Sequence, residues 1–511
     1  MELDARKISS GAVLKVDICV VGAGPAGMAL AREFMGLKLE VLVLESGGLE
    51  SEERIQELNE GTVVGDPYAG LRQSRYRQAG GAVALWNTAV GEGVGAKYVP
   101  LDSCDFEGRE DLPLYGWPLV YSQLEPFYRR SQKICQLGPL AYDGQDWVDK
   151  KWPAFALDGE DLTTRVYQFG VRRAFSQSLL RDIRKSENIS LCHHATVLSL
   201  ETQGSGSRIN QVKVACLNGR QFQVKASIVV LAAGAIENAR ILLLSRENGG
   251  EAVGNKNGWV GRCFMEHPRD YALTLIPHSG DLFSQAMFYD VHPAQDGTII
   301  GGRIALQSHT IKAARLPNAS VTLFPRVKTR TSSPGLATRL LAPLRRFQKN
   351  PAVSGYGWSR IRDLSLTFDA FKLLVNIEQR PNPENRVVLA KTKDILGVAQ
   401  VELHWCWRAQ EQADLQRLRK VLASGLEAAG LGQVEIHSDQ KPDPNAFHHS
   451  GTTRMHDDPR FGVVDSDARV HGVDNLYISG ASVFPSAGFA NPTLTIVALA
   501  LRLADHIKQR V

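Results

Sequence analysis

The sequence predicts an α/β fold, with one parallel, helix-flanked sheet and a second part built on an antiparallel sheet. Three observations carry this. Residues 16–48 read strand, glycine turn, helix, strand. Residues 226–248 repeat the strand, small-residue turn and helix. Residues 270–410 instead alternate apolar and polar residues in short runs.

In chain order, residues 1–15 read as a short arm into the first strand. The apolar run Val16 to Val21 is a buried strand, and Gly22, Gly24 and Gly27 follow at G-x-G-x-x-G spacing. The first glycine permits a tight turn, the second lets a pyrophosphate approach the backbone, and the third lets helix pack on strand. A helix N-terminus offers N–H groups and a positive dipole end to phosphates. A second apolar run, Val41 to Leu44, ends on Glu45, placed to bind the hydroxyls of an adenosine ribose. This is a Rossmann-like dinucleotide fingerprint.

Residues 49–78 are polar, with helical spacing in SEERIQELNEG. AGGAVALWNTAVGEG reads as a close-packed loop that a ligand can approach. Residues 100–155 carry several Trp and Tyr residues and read as loops and a helix. Residues 171–185 look helical. SLCHHATVLSLETQ and the stretch Gln211 to Lys225 alternate like strands of a small sheet. In 226–248 a buried strand runs into Ala233-Gly234-Ala235, as where backbone passes close to a ligand.

DYALTLI, AMFYDVH, GTIIGGRIALQ, NASVTLFPR and RVVLA read as antiparallel strands. Residues 326–349 hold seven basic residues and no acid, read as a lid or solvated helix rather than a membrane anchor. Residues 409–430 form an amphipathic helix with Leu415, Leu418, Leu422 and Leu426 on one face. Near the C-terminus a small strand, Asn475 to Ser479, enters a Gly/Ala/Ser turn. A last helix begins near Pro492, a residue suited to a first turn. The expected division is 1–150, 186–268 and 440–511 as a discontinuous nucleotide-binding domain, with 151–185 and 269–439 as the substrate domain.

At 511 residues, two to four domains of ~100–200 residues are expected. A composition 43% hydrophobic and 22% charged is that of a globular protein. The net charge of +5 is too mild for a nucleic-acid-binding protein, and no such module is present. Seven scattered cysteines, none spaced C-x-x-C, argue against a zinc site or redox dithiol; no metal is expected. They suit a reducing compartment, so a cytoplasmic location is expected. There is no signal-peptide pattern, and no apolar stretch reaches the ~18 residues of a membrane span.

Seven stretches resemble, in order, the glucose–methanol–choline (GMC) family of flavin-dependent oxidoreductases, particularly bacterial sugar- and glycoside-oxidising members related to pyranose oxidase. They are GAGPAG with Glu45, Gly80-Gly81 with Trp86-Asn87, LAAGAIENARILL, GRCFMEHP (261–268), EQRPNPENRVVL (378–389), HHSGTTRM (448–455) and GASVFPSAGFANPTLTIVALALRLAD (480–505). The resemblance implies FAD, held by Gly22, Gly24, Pro25, Ala26, Gly27, Glu45, Ser46, Arg77, Gly80, Gly81, Trp86, Asn87, Val197, Ala233, Gly234, Gly480, Ala481, Asn491, Pro492 and Thr493. It implies a catalytic histidine in H-x-x-G-T, which is His448, and a partner before the final helix, which is Asn491. His449 is assigned to packing or substrate contact, and His267 and the pair His193-His194 to structural or supporting roles. Where relatives carry a flavin-linking histidine before the tryptophan, this chain has Leu85, which predicts non-covalent FAD. Where many relatives carry an aspartate, it has Gly480, which keeps only a backbone N–H.

The implied activity is oxidation of a CH–OH group of a sugar, glycoside or similar polyol. Histidine suits removal of the hydroxyl proton because its pKa lies near neutrality, and an amide suits orientation of the alcohol. The acceptor is O2 or an external acceptor. A natural-product or non-sugar alcohol is the alternative substrate, and a non-catalytic flavin-binding protein the remote one. An NAD(P)H-dependent two-nucleotide reductase is disfavoured, since no second G-x-G-x-x-G is present.

Overall fold

The computed structural model describes residues 1–149, 153–157, 159, 161–202, 207–246, 250–330 and 366–511. The apolar runs near the start build an eight-stranded sheet. Its order is Glu2–Asp4, Ile189–His193, Val41–Leu44, Val13–Val21, Gln221–Leu231, Ile209–Ala215 and Thr196–Thr202, with Leu476–Ile478 also pairing with Gln221–Leu231. Pairing is parallel from Glu2–Asp4 through to Leu476–Ile478. Only Ile209–Ala215 and Thr196–Thr202 run antiparallel, extending one edge. Ile18, Cys19 and Val20 are buried, as helix-covered parallel strands require. Burying each such side chain contributes about 1.5–3 kcal/mol.

The helix Pro25–Arg32 follows the first glycine turn and packs on the last helix, Thr493–Lys508, which also packs on Tyr121–Ile134. Tyr128 Oη lies 2.8 Å from Thr495 Oγ1 across that second contact, and Arg130 pairs with both Glu33 and Asp505. Pro25–Arg32 and Tyr121–Ile134 fix where the last helix begins, and so where Asn491 lies.

The second sheet has nine strands and is antiparallel: Gly432–Ile436, Arg269–Pro277, Leu366–Ile377, Ala319–Arg330, Ile299–Leu306, Leu162–Val171, Gly93–Tyr98 and Thr88–Val90, with His292–Pro293 beside Ile299–Leu306. The amphipathic helix Ala409–Ala428 lies against it with Leu415, Leu418, Leu422 and Leu426 buried. Arg419 of that helix makes a bidentate pair with Asp270 at 2.8 and 2.9 Å, both side chains fully enclosed. A small third sheet joins Arg386–Lys393, Ala399–Trp405 and Gly61–Gly65.

Several stretches differ from their sequence reading. The arm contains an edge strand, Glu2–Asp4, and the first strand starts at Val13. GTVVG at 61–65 pairs with Val401–Trp405 inside a segment read as polar and partly helical. Part of the small-residue loop is a hairpin, Thr88–Val90 with Gly93–Tyr98. Gly95 there approaches Gly170 so closely that a Cβ would stand 1.9 Å from its carbonyl oxygen. Residues 189–225 form no separate small sheet; they join the parallel one. AMFYDVH is a 3-10 turn, Ala286–Tyr289, and a two-residue strand, because Phe288 and Tyr289 turn inward together. The basic segment begins in Ala319–Arg330; its remainder, 331–349, lies outside the described residues. Among the described residues no helix is long and apolar enough to cross a membrane.

Candidate active site

The three fingerprint glycines have separate jobs. Gly22 has φ of +107°, and a Cβ there would meet Ala232 O at 2.5 Å. A Cβ on Gly27 would lie 1.9 Å from Gly22 O. Both are demanded by packing. Gly24 is different: a Cβ would find only Gly81 Cα, at 4.0 Å. A Cβ on Gly234 would meet nothing within 4 Å, and one on Gly480 only Ala26 Cβ, at 3.9 Å. Open space thus runs past Gly24, at the N-terminus of the helix Pro25–Arg32, and past Gly234 and Gly480. That space and those backbone N–H groups fit a dinucleotide. Gly80 and Gly81 wall it, with Gly80 N–H donating to Ala23 O at 2.8 Å.

Glu45 is buried at the end of Val41–Leu44. Its Oε2 accepts Ala23 N–H at 2.9 Å and its Oε1 accepts Gly47 N–H at 2.8 Å. Burial raises its pKa while these two N–H groups oppose the rise. A carboxylate offers about four acceptor positions, so two remain for hydroxyls. Ser46 Oγ lies 2.8 Å from Thr196 Oγ1, next to Val197. Arg77 donates to Ser46 Oγ, Asn59 Oδ1 and Leu58 O and pairs with Glu237, so most of its donors go to protein groups. Ala233 N–H donates to Asn238 Oδ1 at 2.8 Å. Trp86 makes edge contacts with Tyr98 and Phe175, Asn87 is exposed, and Leu85 ends the 3-10 turn before them.

His448 and Asn491 meet. Asn491 Nδ2 is 3.0 Å from His448 Nε2, and Pro492 and Thr493 open the helix behind it. On the other side, His448 Nδ1 is 3.0 Å from His267 Nδ1, and His267 Nε2 is 3.2 Å from Ala487 O. A carbonyl only accepts, so His267 carries its proton on Nε2 and presents a bare Nδ1. The proton between the rings belongs to His448 Nδ1, and His448 Nε2 is left as an acceptor. Burial holds His448 well below the ordinary histidine range, and brings His267 down to about 4. His448 is therefore a neutral base with its tautomer fixed by a neighbour.

Below this pair sits Glu266, with no exposed surface. Its Oε2 accepts the backbone N–H groups of His448 (3.0 Å) and His267 (3.2 Å), and its Oε1 accepts the Tyr68 hydroxyl at 2.5 Å. His449 turns its ring to Tyr68 and Phe264, with Nε2 2.9 Å from Tyr68 Oη. Burial lowers His449 to about 3 and pushes Glu266 up to about 7.

Residues 381–500 match the family model described as "GMC oxidoreductase". That stretch corresponds to a GMC oxidoreductase C-terminal domain. It is 23% identical to the fructose dehydrogenase large subunit of Gluconobacter japonicus, across 98% of both chains. It is 25% identical to paromamine 6'-oxidase of Streptomyces fradiae, across 96% of this chain and 91% of that one. A solved formate oxidase from Aspergillus oryzae, studied for its FAD modification, shares the fold with a TM-score of 0.55 at 17% identity, covering 98% of this chain and 99% of that one.

The GMC domain supplies His448 and Asn491, but the residues that hold them come from elsewhere. Met265 and Ser450 exchange backbone hydrogen bonds at 3.1 Å, and Gly261 N–H reaches Thr452 O at 2.7 Å. A Cβ on Gly451 would stand 2.1 Å from Cys263 O, so the two motifs close on each other like short strands. Gly451 N–H in turn reaches Ala481 O, which brings the Gly480 turn alongside. GRCFMEHP stands out in the sequence as a family-like motif, but the sequence alone gives Glu266 no role and does not mark Tyr68. The signal was the acid adjoining His267; no local pattern marks Tyr68.

Proposed function

We propose that this protein is an FAD-dependent oxidoreductase that converts a CH–OH group of a sugar, glycoside or similar polyol to a carbonyl. The observation that carries it is His448 Nε2, a neutral acceptor 3.0 Å from Asn491 Nδ2. In this reading His448 Nε2 takes the proton of the substrate hydroxyl, and the Asn491 amide donates to the same oxygen and fixes the carbinol. His267 keeps the accepting nitrogen facing substrate. The open space past Gly24, Gly234 and Gly480 supports FAD as the occupant, with Glu45 at its adenosine ribose. FAD, when bound, would supply the acceptor for the hydride, and with it the two electrons, removed from carbon. The acceptor that reoxidises it is O2 or an external molecule.

The sugar class rests on the similarity to fructose dehydrogenase and paromamine 6'-oxidase. The same geometry serves a natural-product alcohol, a reading favoured by the similarity to paromamine 6'-oxidase. Leu85 offers no nitrogen for a linkage, which supports a non-covalent cofactor. The test is anaerobic mixing of the flavin-loaded protein with a panel of sugars, glycosides, aminoglycosides and simple alcohols. Loss of flavin absorbance with a polyol, and release of all flavin on acid precipitation, is the expected result. A protein that takes up no FAD, or whose His448→Ala variant is reduced as fast as wild type, refutes the assignment.

A further inference from the structure

The edge strand Glu2–Asp4 runs beside Ile189–His193 with Asp4 paired to His193. At that corner the chain turns through His194, whose φ is +59°. His193 Nδ1 and His194 Nδ1 are 2.7 Å apart, and Asp4 Oδ1 is 3.7 Å from His194 Nδ1. One ligand atom from each of the three residues falls within 4.8 Å of the others.

The far side of each ring is informative. His194 Nε2 is 2.5 Å from Glu52 Oε1, and His193 Nε2 faces Glu2 Oε1 at 3.5 Å. The Glu52 carboxylate keeps a proton on His194 Nε2 and leaves its Nδ1 as an acceptor. That nitrogen, the facing His193 Nδ1 and an Asp4 oxygen converge on one point, where the single proton shared by the two rings can give way to a cation. Imidazoles backed by carboxylates in this way are the arrangement of metal-ligating histidines.

We propose that Asp4, His193 and His194 bind one zinc-class divalent cation through Oδ1 and the two Nδ1 atoms. The donor set of two imidazoles and a carboxylate suits such an ion, with water in the fourth position. The three side chains are only 8–15% exposed, so the ion is sheltered but reachable. Tetrahedral ligands stand roughly 3.3 Å apart, so the two nitrogens open by about 0.6 Å. Arg6 grips both Asp4 oxygens through its guanidinium and donates its backbone N–H to Oδ1; the ion displaces the guanidinium from Oδ1 and leaves it Oδ2. Glu2, Asp4 and Glu52 outnumber Arg6 and Arg184 around the point. Cysteine spacing does not mark this site, since its ligands lie at residues 4 and 193–194.

The ion is remote from the chemistry and clasps one edge of the parallel sheet. His194 N–H donates to Gly47 O and Ala195 N–H to Glu45 O, so it would tie the edge strand to the turn after Glu45.

The test is equilibrium dialysis of the flavin-loaded full chain against Zn2+, with metal counted by mass spectrometry and unfolding followed with Zn2+ or EDTA. One zinc per chain is expected, bound 10–100-fold more weakly in Glu52→Gln. His193→Gln is expected to lose the ion and the zinc-dependent rise in Tm. Should that variant not fold, Asp4→Asn serves in its place. Wild type that retains no zinc, or a ligand variant that retains as much as wild type, overturns the proposal.

Discussion

Glu266 holds the backbone of His448 rather than its ring: Oε2 accepts the His448 N–H at 3.0 Å while the imidazole leans on His267. Position and tautomer of the His448 imidazole are thus set by two different groups, which can be removed separately.

Removal of the base itself has the largest effect. His448→Gln is expected to slow anaerobic flavin reduction by roughly 10^2–10^4-fold, the range of general base catalysis, with FAD content unchanged. Stopped-flow absorbance of the flavin checks it.

Loss of the tautomer lock is a smaller and different effect. In His267→Ala the His448 Nδ1 proton has no partner, and the ring can present N–H to substrate instead. We expect kcat to fall about 10- to 100-fold with little change in KM, as for other groups that orient an imidazole. Glu266→Gln keeps the rings but loses acceptor capacity toward Tyr68 and two backbone N–H groups, and the same assay should show a loss of about tenfold.

The pH dependence has a definite sign. His267 and His449 are held neutral down to about 4 and about 3, whereas unfolded histidine protonates near 6.5. Below 6.5 the unfolded chain binds more protons, so these groups make stability fall as pH drops through that window. Glu266 acts oppositely. Raised by burial to about 7 from 4.5, it contributes stability present below 4.5 and lost as pH rises through 7. Thermal unfolding between pH 4 and 7 should therefore show a steeper acid loss in Glu266→Gln and a shallower one in His267→Gln. For the same reason, the rate of substrate-driven reduction should show no acid limb near 6.5 from His448.

The glycines separate folding from cofactor binding. Gly27→Ala places a Cβ 1.9 Å from Gly22 O and is expected to prevent soluble expression. Gly24→Ala meets no protein atom nearer than 4.0 Å and is expected to fold, with FAD bound at least about tenfold more weakly, or ~1.4 kcal/mol. Circular dichroism and flavin titration read the two effects.

Much of the fold was legible because its signals are local. Val16 to Val21, the glycines, the leucine face of 409–430 and the turn at Ala233-Gly234 carry their own periodicity. GTVVG did not: two glycines flank three residues, and only pairing with Val401–Trp405 makes it a strand. AMFYDVH misled because its alternation is real, yet Phe288 packs over Gly302, where a Cβ would stand 2.7 Å away. At the site, His448 and Asn491 were singled out through a recognised pattern. Glu266, His267 and Tyr68 act through contacts between residues 180 to 380 positions apart, which no window of sequence displays.

The backbone exchange between Met265 and Ser450 makes the base one of the last things the chain can build. Its two halves are separated by six of the nine strands of the antiparallel sheet, and Asn491 follows later still. Closing loops of that length is slow, and parallel pairing with Leu476–Ile478 adds another distant closure. A nascent chain can thus complete its glycine fingerprint long before it owns a functional base. Appearance of alcohol-driven flavin bleaching during refolding is then a clock for the final closure, trailing the recovery of helical signal.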